Sequence, residues 1–208
     1  MSEIFDEIPT YLPKYLSAPE TTDLFSELSQ FPNNIDSRMY TSFLEGQSTI
    51  YQGDGLSDIW IAELPKGEIR RARVIVLSNT CDISPNNLRK LGARLMYCPI
   101  VRFSSYQSML SEQNETSTRS HLADIRKQRI SSMFYLPESQ KLGEESIALL
   151  DRPNNCALSG INLESVIQSR LFTLSMYGWY LFLFKLSIHL SRNGLAKMLD
   201  NLQIRSEN

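Results

Sequence analysis

Ile59-Trp60-Ile61-Ala62, the turn Lys66-Gly67 and the run Val74-Ile75-Val76-Leu77-Ser78 decide the fold. Short runs of β-branched and aromatic residues on either side of a Gly-containing turn read as the two arms of a hairpin. The second run is aliphatic and ends on the polar corner Asn79-Thr80-Cys81-Asp82, as a buried strand does when it emerges at an edge. Outward from there, Asn86-Asn87 and Gly92 lead to a third strand over residues 94–101. Residues 131–136 and 146–150 are further short strands, and 169–173 leans the same way. The polar stretch 104–130 has a helical pattern, with an amphipathic helix at 121–126. Tyr177, Leu181, Phe184 and Ile188 recur at helical spacing and predict a C-terminal helix, followed after Asn193-Gly194 by a last short one. Short strands in series, terminal helices and no βαβ alternation predict an α+β protein built on a small, bent antiparallel β-barrel.

The first 55 residues read as an extension of a barrel domain at 56–208, which carries a helical insertion at about 103–130. Pro9, Pro13 and Pro19 break the start of the extension. Thr21 or Thr22 then caps a short helix with Leu24, Phe25 and Leu28 on one face. The net charge of −2 hides a polarity: residues 1–63 carry −9, residues 66–143 carry +7 and the rest is balanced. A chain that is 42% hydrophobic has material for a core, which excludes a wholly disordered protein. Three cysteines and two histidines supply neither a disulfide framework nor a metal cluster, so no metal or cofactor is expected. The acidic N-terminus has no h-region. The longest uncharged apolar stretch, 171–184, is fourteen residues against the ~20 a spanning helix needs. A cytoplasmic protein that does not enter the membrane is the expectation.

In order along the chain, the motifs resemble the PemK/MazF toxin family, whose fold is a small SH3-like or CcdB-like barrel. Ser57-Asp58-Ile59-Trp60-Ile61-Ala62-Glu63-Leu64 resembles that family's first barrel strand, and Arg71 to Ser78 its second. Tyr97-Cys98-Pro99-Ile100 is similar to its aliphatic-Pro strand, and Leu149-Leu150-Asp151-Arg152-Pro153 to the stretch holding its carboxylate. Arg170-Leu171 and a terminal helix follow, as they do there. The resemblance covers 56–102 and 146–192. It implies metal-independent cleavage of RNA, with Asp151 as the carboxylate that takes the 2′-hydroxyl proton and Arg71 or Arg73 stabilising the phosphorane. Departures stand beside the matches: Leu149 replaces an arginine, Val101 a hydroxyl residue and Ser57 a glycine. Losing one such donor typically removes ~2.7–4 kcal/mol of transition-state stabilisation.

The expected function is therefore binding of RNA, DNA or a protein partner by a divergent barrel, within a bacterial toxin–antitoxin or phage-defence system. An antitoxin or defence-system protein is an expected partner, and a homodimer is open. An endoribonuclease using Asp151 with Arg71 or Arg73 is the alternative. A third option is an enzyme with Cys81 as nucleophile, which needs a nearby cation or histidine to hold the thiolate. Against that, Asn79 and Asp82 fix a turn while Cys81 packs inward. The basic series Lys66, Arg70, Arg71, Arg73, Arg89, Lys90, Arg94 and Arg102 has three readings: phosphate binding, docking of the acidic N-terminal third, or solvated strand edges. Lys185, His189 and Arg192 read as a solvated border of the last helix. Trp60, Trp179 and Tyr180 read as core or interface aromatics, with base stacking a minor option.

Overall fold

The computed structural model describes residues 18–87, 90–110 and 115–190. The chain divides into two compact units, Met1–Asn34 and Ile35–Asn208. In the first, helix α1 (Ala18–Ser29) buries Leu24 and Leu28, and the Asn34 side-chain amide donates to the Glu27 carbonyl at 2.7 Å.

Among the described residues the second unit holds eight strands: β1 (Tyr40–Thr41), β2 (Gly55–Glu63), β3 (Glu68–Val76), β4 (Arg94–Arg102), β5 (Met133–Leu136), β6 (Ser146–Leu149), β7 (Asn154–Ala157) and β8 (Arg170–Leu174). The described α-helices are α1, α2 (Phe103–Leu110), α3 (Glu115–Arg126), the single turn α4 (Val166–Ser169) and α5 (Met176–Leu190), with short 3-10 turns at Ser37–Met39, Leu158–Gly160 and Leu163–Ser165. The strands form one antiparallel sheet in the order β1-β8-β2-β3-β4-β6-β5, with β7 paired to β4. Helices segregated from an antiparallel sheet make an α+β protein. The ladder is open, ending at β1 and β5.

Strand β4 shows how the sheet bends. On one side it pairs with β3, while on the other its partner changes from β7 at Arg94–Tyr97 to β6 at Ile100–Arg102. Pro99, with no N–H to donate, falls between the two partners, where no ladder bond is lost. The hairpin β2–β3 closes through Leu64-Pro65-Lys66-Gly67. Gly67 adopts φ 70°, which a side chain would resist, and its N–H reaches the Glu63 carbonyl at 2.9 Å.

Alternation sends Leu56, Ile61, Val74, Val76, Leu95 and Tyr97 to one face, where they pack with Ile50, Ile83 and Val166. Further along, Tyr135, Ile147 and Leu149 are covered by Phe103 of α2 and by Leu122 and Ile125 of α3. Beside the other face runs α5, with Phe182 against Phe134 at 5.1 Å between ring centroids and Gly178 against the turn Ser37–Met39. A buried ion pair joins Asp54 to Arg170 at 3.2 Å, and Arg170 also donates to the carbonyls of Leu44, Gln47 and Thr49. Residues 44–54, counted from sequence as extension, are thereby stitched to the sheet.

Helix α5 departs from expectation. Its buried residues are Tyr177, Gly178, Tyr180, Leu181, Phe182 and Lys185, while Ile188 is 54% exposed. The inward stripe is rotated from the expected row. Lys185 is not a solvated border residue: it is 5% exposed and its ammonium donates to the Gln128 carbonyl. Arg192 and the last short helix lie outside the described residues. No described helix is long and apolar enough to cross a membrane.

Candidate nucleic-acid interface

Strand β2 is interrupted between Leu56 and Ile59, where its register with β3 shifts, and Asp58 stands there at φ 62°. An extra residue in one strand forces a bulge, and the short polar side chain of Asp tolerates the left-handed backbone better than most. Ser57 anchors the bulge through its hydroxyl to the Ser169 carbonyl at 3.0 Å. Beyond it the ribbon continues in regular register, with Trp60 opposite Arg71, Ile61 opposite Arg70 and Ala62 opposite Ile69.

Alternation then places Trp60, Ala62, Ile69, Arg71 and Arg73 on the face away from the Leu56–Ile61–Val74 core. Trp60 is 51% exposed and Ile69 68%, so neither is a core residue. The Arg71 guanidinium lies over the Trp60 ring, 4.0 Å from its centroid. Its Nη1 donates to the Asp58 carbonyl at 2.5 Å and lies 3.4 Å from the Asp58 Oδ2. Two residues on, about 7 Å along the strand, Arg73 donates to the Leu142 carbonyl at 3.1 Å. Burial lowers the Arg73 pKa, repulsion by Arg102 adds to the fall and Glu144 opposes it. Arg102 pairs with Glu144 at 3.0 Å, and Ser104 donates to the same carboxylate at 2.8 Å. One carboxylate thus faces two arginines, which leaves this end of the face cationic.

The remaining members of the basic series lie elsewhere. Lys66 is exposed in the hairpin turn, and Arg70 points to the other side of the ribbon. Arg94 donates to the Asn155 side chain at 2.6 Å, at the end of β4 away from Arg102; eight residues of strand separate the two by about 26 Å. Lys90 is exposed, and Arg89 lies outside the described residues. The series therefore divides among a turn, two faces and two strand ends.

Asp151 is exposed in the turn after β6 and makes no hydrogen bond or ion pair with Arg71 or Arg73 among the described residues. Its neighbours are different. Burial, with the Asp151 charge added, pushes the Cys98 thiol up to about 12 and raises the Tyr106 hydroxyl. That hydroxyl is hydrogen-bonded to His121 Nε2 at 2.8 Å, beside a depression lined by Thr116, Ser117, Ser120 and Asp124. The charge of Asp151 thus reaches Cys98 and Tyr106, and no bond among the described residues joins it to Arg71 or Arg73.

Cys81 is exposed, against the expectation that it packs inward. Asn79 does fix the turn, its side chain accepting from the Cys81 amide at 2.9 Å and its carbonyl from Asp82 at 3.0 Å, but Ile83 fills the core instead. Neighbouring polar groups are also absorbed into structure: Thr80 accepts from the Gln52 amide and Ser78 from the Met96 amide. Both histidines sit on helices α3 and α5 rather than in this corner. Among the described residues no group of three His, Cys, Asp or Glu side chains could hold a metal ion.

Sequence reasoning singled out Arg71 and gave Trp60 base stacking as a minor option, but did not pair the two. The signal was available, since Trp60 and Arg71 are equidistant from the hairpin turn and must face each other in a regular ribbon. Asp58, Glu144 and the Tyr106–His121 pair left no comparable trace. A scan of protein-family models finds none that matches this chain, and a search of curated proteins finds no match.

Proposed function

We propose that the Ile35–Asn208 unit binds single-stranded RNA along the hairpin face, with the Trp60–Arg71 stack supplying a planar surface and Arg73 and Arg102 supplying phosphate contacts. The observation that carries this reading is the half-exposed Trp60 under a stacked guanidinium, in line with two more arginines that share one carboxylate. Unpaired bases stack on aromatic or guanidinium planes, while cations follow the backbone. In this reading β2, β3, β4 and β7 act as a small PemK/MazF-like barrel. The Tyr97 hydroxyl donates to the Trp60 carbonyl at 2.6 Å, and the Ala62 amide to the Asn154 side chain at 2.8 Å, so side chains span the gap that the ladder leaves open. Binding is favoured over cleavage because, among the described residues, no arginine is bonded to the carboxylate Asp151. A place in a toxin–antitoxin or phage-defence system follows from the family resemblance alone.

The test is fluorescence anisotropy with a short labelled oligouridine in EDTA, across about 50 to 200 mM salt. Two phosphate contacts predict a log–log salt slope of about −1.4 for a single strand. Arg71→Glu, Arg73→Glu and Arg102→Glu together should abolish binding. Unchanged binding by that triple variant refutes the face as the site, and affinity for an acidic peptide but not for RNA favours the protein-partner alternative. Cleavage of the RNA that Asp151→Ala abolishes favours the endoribonuclease.

A further inference from the structure

We propose that Asp58 is a positioning residue that holds the Arg71 guanidinium flat on Trp60, so that the outer face of that guanidinium takes an unpaired base of the RNA. The inference rests on the RNA-binding reading above and adds a base-stacking subsite and the residue that builds it. Three observations converge on it. Asp58 keeps a left-handed backbone inside a strand, a conformation that costs free energy and persists only where the surroundings enforce it. The bulge aims the Asp58 carbonyl at Arg71, which it meets at 2.5 Å, while the carboxylate lies 3.4 Å from the same nitrogen. Trp60 backs the other side of the guanidinium at 4.0 Å.

An exposed arginine ordinarily loses rotamer freedom when it binds a ligand. Here that freedom is already removed by a carbonyl at the edge of the guanidinium and a ring beneath it. The planar cation presents one open face, still half exposed with 48% of the side chain accessible. A base is flat, of similar width, and polarised so that a cation on its π-face is attracted. The nearby Arg73 and Arg102 would hold the phosphates on either side of such a base, which gives the strand a direction along the ribbon. Lysine in place of Arg71 keeps the charge but has no plane to offer.

The experiment compares the same labelled oligouridine with a version whose central nucleotides are abasic, so that phosphates are constant and bases are not. The wild-type protein should prefer the base-bearing strand by roughly 5- to 150-fold, the range of one stacked base. Arg71→Lys should remove the preference and leave the salt slope unchanged. Asp58→Gly accepts the left-handed backbone and keeps the carbonyl in place, so it should retain the preference. Asp58→Val cannot adopt that backbone cheaply and should lose it. Retention by glycine but not by valine separates positioning from a general loss of fold, and loss of the preference in Asp58→Gly, or its survival in Asp58→Val, overturns the positioning role. Equal affinity of the wild type for both strands, or a preference that survives Arg71→Lys, overturns the inference and leaves RNA binding standing. A preference lost only with Trp60→Ala means that the base lies on the indole itself, which also overturns it. No binding of either strand overturns both readings.

Discussion

Raising the pH from about 7 to 9 should make this protein more stable, because of one lysine. Lys185 is 5% exposed on α5 and burial lowers its ammonium pKa from 10.5 to about 8, with no acidic partner offsetting the desolvation. A lysine lowered in the fold binds fewer protons there than in the unfolded chain between those two values. Stability therefore rises with pH across the window, and is fully gained once the unfolded chain also loses its proton. The gap between 10.5 and about 8 corresponds to about 3 kcal/mol in all, of which about 1 kcal/mol falls between about pH 7 and 9. The Cys98 thiol and the Tyr40, Tyr97 and Tyr135 hydroxyls work in the opposite sense, since burial raises all four. Cys98 begins to oppose near pH 9.0, where the unfolded thiol ionises, and the tyrosines above that, so the lysine window is read below pH 9.0. Urea unfolding at stepped pH measures the effect, and Lys185→Met should flatten the dependence. Stability that is level or falling over that window in the wild type refutes the argument, and so does the same rise in Lys185→Met.

Two more substitutions test how the sheet unit is held. Arg170→Met strands the fully buried Asp54 carboxylate and removes the donor to three loop carbonyls, so urea unfolding should show a loss of about 3–5 kcal/mol. Adding Asp54→Asn should recover part of that loss, because the lone charge is gone. Gly178→Ala places a Cβ 2.2 Å from the Met39 carbonyl oxygen, backbone that cannot swing aside. Thermal unfolding should report a loss of at least ~1–3 kcal/mol, the usual cost of overpacking.

How far the sequence could be read depended on whether the signal was local. The hairpin was legible because Lys66-Gly67 is a turn whatever surrounds it, and the β-branched run after it has few other uses. Strand β8 was legible at Arg170–Leu174 for a similar reason. Strand β7, Asn-Asn-Cys-Ala, was not: it has no apolar alternation and exists because β4 offers it an edge at Arg94–Tyr97. Trp60 shows the same limit from the other side. Its residue type argues for a core or an interface, and only the bulge at Asp58 and the register that follows turn it outward.

The sequence alone determined an α+β protein with a central hairpin, a helical C-terminus and a strong charge polarity, since turn chemistry, periodicity and composition act over a few residues. Its motif order raised the candidates Asp151, Arg71 and Arg73 together. Tertiary structure decided that Arg71 and Arg73 share a face with Trp60 and Arg102, and that neither arginine is bonded to Asp151 among the described residues. It also decided that the +7 of residues 66–143 does not form one patch, and that Lys185 is buried. The physical reason is common to all of these. Which side of a strand a residue faces is set by a single inserted residue in a bulge, and which helix stripe goes inward is set by what packs against it. Neither is a property of the residue's own neighbours in the chain.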